Sequence, residues 1–212
     1  MISSIYKASQ YEILSINLNE FAEKIAFDFI QNKHRMLEKK SLAFFINNYF
    51  KEDELIYNSE GKPLLKNSSK KISISHSTRR LVIQLSENLV PGIDTEILRN
   101  QLIKIKSKFV SNEEHNLYTS DNNLLNLCLI WSAKEAIFKS AGIVGLSFLE
   151  QIKIKQIIFE NKEKGSISAA LYTIDAEIDY LLKFFLPNDD EVIVFVDELF
   201  DQSNSTINSS RR

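Results

Sequence analysis

One cysteine, Cys128, is all that 212 residues contain, so an internal disulfide is excluded and a reducing compartment is expected. Histidine is almost as scarce. None of His34, His76 and His115 pairs with a cysteine at metal-ligand spacing, which argues against a structural zinc site. No run approaches the roughly 18 apolar residues of a membrane span, and Met1 to Glu20 lacks a basic region followed by an unbroken apolar segment. Neither a membrane segment nor a signal peptide is expected, and the chain reads as cytoplasmic. Neither sign of charge prevails: 26 basic against 28 acidic residues give a net charge of -2, whereas a general nucleic-acid binder shows a basic surplus. With three prolines and five glycines, no Gly/Pro/Ser-rich linker divides the chain, so its parts should pack closely.

What is present suits a globular fold, with 44% hydrophobic and 25% charged residues. The length fits one large domain or two small, tightly joined ones. After a short apolar start, Asn19 to Phe50 has helical spacing, interrupted by the basic residues Lys33-His34-Arg35 and Lys39-Lys40. Gly61-Lys62-Pro63 signals a turn, and Ile72–Ser75, Leu81–Leu85 and Leu89–Asp94 read as strands of a small antiparallel sheet. Leu98–Leu117 and Asn122–Ala141 are helical in pattern, and Ile152–Phe159, Ser166–Ile174 and Glu191–Val196 are strand-like. Helices followed by strands, twice over, predict an α+β fold of two similar halves, residues 1–97 and 98–200, each with helices packed on a small, mainly antiparallel sheet. The polar tail 201–212 is expected to be disordered.

The chemistry gathers in Trp131-Ser132-Ala133-Lys134-Glu135-Ala136-Ile137-Phe138-Lys139. On a helix, the neighbours of Lys134 three and four residues away are Ile130, Trp131, Ile137 and Phe138, all apolar. An ammonium set in such a stripe must snorkel or meet an anion. Glu135 and Lys139 share the neighbouring face, where a plain ion pair one turn apart is the ordinary use. Asp94-Thr95-Glu96, at a strand, aims two carboxylates the same way. Close carboxylates repel unless one is protonated or a cation lies between them. A Mg²⁺ ion held by Asp94, Glu96 and Glu135, with Lys134 and Lys139 for phosphate oxygens, is what pyrophosphate chemistry requires. Ser75-His76-Ser77 offers donors at a loop. Ser111 and Glu114 have capping-box spacing, a structural use that competes with general-base duty for Glu114. Lys104, Lys106 and Lys108 form a basic run that is either a solvated face or a dock for an acidic partner.

Gly61-Lys62-Pro63, Ile74-Ser75-His76-Ser77, Gly92 through Glu96, Phe109 through Glu114, Trp131 through Glu135 with Lys139, and Gly145 through Phe148 occur in the order seen in the 4′-phosphopantetheinyl transferases. The chain resembles the larger, surfactin-synthetase-activating type from about Gly61 to Leu149. That resemblance implies a pseudo-twofold fold with its active site between the halves. It implies transfer of the phosphopantetheine arm of coenzyme A to a serine of an apo carrier protein, with release of adenosine 3′,5′-bisphosphate. Carried over by position, Asp94, Glu96 and Glu135 would bind Mg²⁺. Lys33, Arg35, Lys62, Ser75, His76, Lys134 and Lys139 would face coenzyme A. Glu114 or Glu135 would deprotonate the serine, with Lys139 beside the reacting phosphate. Leu42-Ala43-Phe44 lacks the arginine the family commonly places in this helix, and Lys39 and Lys40 are the nearest substitutes. The rival readings are a Mg²⁺-dependent phosphoester hydrolase acting on a nucleotide, and a non-catalytic relative that docks carrier proteins. A monomer is the simplest expectation for two halves in one chain.

Overall fold

The computed structural model describes residues 2–30, 33–51, 53–118 and 123–201; the tail expected to be disordered lies outside them from residue 202 on. The fold is mixed α+β, and every strand pairing is antiparallel. One sheet has the order β1-β2-β6-β5, from Ile2–Lys7 (β1), Tyr11–Asn17 (β2), Lys71–His76 (β5) and Arg80–Ser86 (β6). The other has the order β7-β11-β10-β9-β8, from Ile93–Ile97 (β7), Ile152–Phe159 (β8), Lys164–Tyr172 (β9), Glu177–Asn188 (β10) and Glu191–Asp201 (β11). Leu55–Tyr57 (β3) and Pro63–Leu65 (β4) form a separate hairpin. The helices are α1 (Leu18–Lys24), α2 (His34–Tyr49), α3 (Gln101–Ile105) and α4 (Asn123–Ala141). No helix among the described residues is long and apolar enough to cross a membrane.

Alternation along the strands sets the layers, because successive side chains point to opposite faces. Tyr11, Ile13, Val82, Ile93, Ile193 and Phe195 meet in a middle layer between the two sheets. Leu14, Ile16, Leu81, Ile83 and Leu85 point the other way, onto Phe21, Leu37 and Phe45 of α1 and α2. Val192, Val194 and Val196 turn toward α4. The order is therefore helices, sheet, sheet, helix, with β2, β6 and β11 covered on both faces.

Four expectations change. The short apolar start is two strands: β1 is an exposed edge, and β2, buried on both sides, shows a run rather than an alternation. The long helix over Asn19–Phe50 is two, with α1 beginning where the Asn17 side chain accepts the Asn19 and Glu20 amides. The helix expected over Leu98–Leu117 is only α3 followed by two short 3-10 turns, Lys106–Lys108 and Asn112–Leu117. The strand expected at Leu89–Asp94 starts later, after Pro91 and Gly92, and β10 had no strand signal in its uninterrupted Leu181-Leu182 and Phe184-Phe185 pairs.

Candidate functional site

Lys134 finds its anion inside the protein. Its side chain is fully buried, and its ammonium lies 2.8 Å from Glu114 Oε1 and donates to the Phe148 carbonyl at 2.8 Å. Glu114 also accepts the Ser111 amide (2.7 Å) and the Ile154 amide (2.7 Å), so the capping box forms and its carboxylate is satisfied. Burial lowers the pKa of Lys134, and the charge of Glu114 opposes that shift. The structure thus joins Lys134 and Glu114 to each other. It does not bring them to a surface where coenzyme A or a serine could reach, because Glu114 is 1% exposed and Lys134 0%.

The next face of α4 carries the site. Gly92 lets the start of β7 lie against this helix, since a Cβ there would stand 2.0 Å from the Ala136 carbonyl oxygen. Two residues on, Asp94 meets Lys139. The three protons of that ammonium go to Asp94 Oδ1 (2.8 Å), Ser75 Oγ (2.9 Å) and the Ile93 carbonyl (3.0 Å). Ser75, at the end of β5, donates in turn to Asp94 Oδ1 at 2.8 Å. Glu96 takes the Arg99 guanidinium at 2.9 Å and the Ile97 amide at 3.0 Å; burial raises its pKa, with Arg99 opposing. Glu135 is pushed up to about 7, chiefly by burial and then by the charge of Asp94, with Lys139 opposing and Glu96 adding to the rise. The three acidic residues named from the sequence therefore share one electrostatic neighbourhood. Their oxygen donors fit the chemistry of a hard divalent cation. Among the described residues, however, no three His, Cys, Asp or Glu side chains close into a ready metal-holding group, and Lys139 and Arg99 meet Asp94 and Glu96 instead.

Lys139 also lines a cavity of about 540 Å³ whose wall includes Arg35, Lys39, Lys62 and His76, with Glu38 among them. Leu42, Ile74, Phe138, Ile143 and Val144 supply apolar wall. Lys62 stands at the turn opened by Gly61 (φ 80°) and donates to the Ser140 carbonyl at 3.2 Å, near the end of α4. Burial and then the neighbouring Lys71 charge lower its pKa. Of the residues expected to face coenzyme A, Arg35, Lys62, His76 and Lys139 line the cavity. Ser75 turns toward Asp94, Lys134 is buried elsewhere, and Lys33 is exposed at the start of α2, outside the cavity wall. Glu38 escaped sequence reasoning, although Arg35, Glu38, Lys39 and Leu42 have the spacing of one helix face.

Cations on a partly apolar cavity, beside Asp94, Glu96 and Glu135, supply groups whose chemistry suits phosphate oxygens. The sequence narrows this further: residues 91–196, half of the chain, match the family model described as ACPS, the 4′-phosphopantetheinyl transferase superfamily. The chain belongs to that superfamily, whose general chemistry is the transfer of phosphopantetheine from coenzyme A to carrier proteins. No curated protein sequence matches it. The matched span includes Asp94, Glu96, Glu135 and Lys139; the cavity residues Arg35, Lys62 and His76 precede it.

Proposed function

We propose that this chain is a Mg²⁺-dependent 4′-phosphopantetheinyl transferase of the larger, two-half type. It moves the phosphopantetheine group of coenzyme A onto a serine of an apo acyl, polyketide or peptidyl carrier protein and releases adenosine 3′,5′-bisphosphate. The observation that carries this reading is Lys139, which lines the cationic cavity and reaches Asp94 with the same ammonium. It supports a substrate lying with its phosphates in the cavity and its reacting pyrophosphate against the carboxylates. The reading takes residues 1–97 and 98–200 as related halves about a pseudo-twofold. Its support is a site drawn from both stretches: Ser75 and His76 of β5 and Asp94 of β7 from the first, and Lys139 of α4 from the second.

Asp94, Glu96 and Glu135 would hold Mg²⁺, which when bound offsets negative charge on the pyrophosphate oxygens. Arg35, Lys39, Lys62 and His76 bind and orient the phosphates, and Lys139 stays beside the phosphorus under attack. The serine oxygen bonds to the phosphorus that carries pantetheine, the bridging P–O bond breaks, and its electrons leave on the bisphosphate. Glu135 takes the serine proton. It is partly exposed at the site, whereas both oxygens of Glu114 are committed within the protein.

Incubation with coenzyme A, Mg²⁺ and an apo carrier, read by intact mass, tests this. The carrier should gain one phosphopantetheine, and chelating the metal should stop the gain. Glu135→Gln should slow transfer by about 10²–10⁴-fold, the range of general-base catalysis, with the circular dichroism spectrum unchanged. Undiminished turnover in that variant sinks the assignment of Glu135. Coenzyme A breakdown without a carrier mass gain supports the hydrolase reading instead, and no chemistry at all the non-catalytic one.

A further inference from the structure

A carboxylate in a cavity that receives phosphates is out of place unless it acts on something other than the ligand. Glu38 lies in the cavity wall between Arg35 and Lys39, and its Oε1 stands 3.1 Å from His34 Nδ1 and 3.2 Å from His76 Nδ1. The far nitrogen of His34, Nε2, is 2.8 Å from the Thr78 carbonyl. A carbonyl only accepts, so that nitrogen carries a proton. His34, the first residue of α2, is thereby fixed to the loop that follows His76, and Glu38 is held in place by a partner that is itself anchored. His76 is the exposed member of the trio, with half its side-chain surface open (52%).

We infer that Glu38 is a positioning residue for His76: it accepts the Nδ1–H of the His76 imidazolium and turns the ring so that Nε2–H faces the cavity, where it donates to a phosphate oxygen. This rests on the coenzyme A reading above and adds to it a residue that binds no substrate itself. The arrangement follows the carboxylate–imidazole pairs that fix ring orientation elsewhere in proteins. Glu38 has two opposed effects on a polyanion. Its charge repels phosphate, and its hold on His76 supplies a charge-assisted donor. Arg35 and Lys39 on the same helix, with Lys62 and Lys139 across the cavity, offset the first effect, so the second prevails.

The test is Glu38→Gln in the 212-residue chain, followed in two ways. Transfer kinetics should show KM for coenzyme A raised about tenfold, the loss of one charge-assisted hydrogen bond, with kcat changed less than twofold. In a His76→Asn background the same substitution should change KM little, because its route is gone. Without any substrate, ¹⁵N-detected imidazole spectra should show the His76 ring nitrogens shifting in Glu38→Gln. An unchanged or lowered KM, an equal effect with and without His76, or unmoved His76 resonances would each overturn the inference while leaving the transferase reading intact. If the unaltered protein neither binds nor consumes coenzyme A in calorimetry and turnover, the functional reading fails first and the inference falls with it.

Discussion

Two oppositely charged residues without contact to water are costly to place, and Lys134 with Glu114 shows how the fold meets that cost. Every lone pair direction used on Glu114 is taken by a fixed donor: two backbone amides and one ammonium. The pair joins α4 to the turn at Asn112–Leu117 and, through the Ile154 amide, to β8. Breaking it from one side leaves a buried charge behind. Lys134→Met should therefore lower the unfolding free energy by about 3–5 kcal/mol, measured in urea, and adding Glu114→Gln should restore part of that loss. Equal destabilisation in single and double variants would show that the two residues act independently. That Lys134 must either snorkel or meet an anion was legible from its four apolar helix neighbours. The identity of the anion was not, because Glu114 is twenty residues away in sequence and its capping-box spacing explained it locally. Glu38 was illegible for a related reason. A glutamate in a basic helix looks like ordinary charge compensation until His76, from strand β5, is beside it.

At the level of elements, the site depends on how closely β7 can approach α4. The helix was plain in sequence, since apolar residues recur along it and Gly142 ends it with positive φ (64°). Sheet membership was harder. Edge strand β1 has no buried face to give it an alternation, while β2 and β10 lie inside the sheets and read as apolar runs. The close approach itself rests on Gly92, where a methyl group would meet Ala136 backbone at 2.0 Å and Ser140 Cβ at 2.8 Å. Neither neighbour is the end of a flexible chain, so β7 would have to move. Gly92→Ala should cost about 1–3 kcal/mol of stability, as overpacking of a core does. It should also lower transfer by more than the folded fraction accounts for, because Asp94 shifts away from Lys139. Wild-type specific activity in the folded variant would mean that the Asp94–Lys139 contact is dispensable.

Across the whole molecule, the two sheets are held in register by polar contacts set around an apolar layer. At one end Arg79 makes a two-pronged contact with Asp190 (2.6 and 2.8 Å), and Ser77 and Arg80 reach the buried Glu191. At another, Tyr11 bonds Asp197, which Lys183 also meets at 3.0 Å. Between them, fully buried Gln84 of β6 donates to the Val196 carbonyl (2.7 Å) and accepts the Gly92 amide (2.9 Å). Apolar packing alone tolerates sliding, whereas a side-chain amide with both ends engaged fixes one register, and the candidate site needs one because Ser75 and Asp94 come from different sheets. Gln84→Leu keeps similar bulk but strands a backbone carbonyl and a backbone amide, each worth about 1–3 kcal/mol when buried unpaired. The expected outcome is a midpoint shift in urea with a single transition retained, and a drop in transfer larger than that of a surface glutamine substitution. Two separate transitions in the unaltered protein would show instead that each sheet with its helices folds alone, and Gln84 would then matter to assembly of the site without setting the stability of either half.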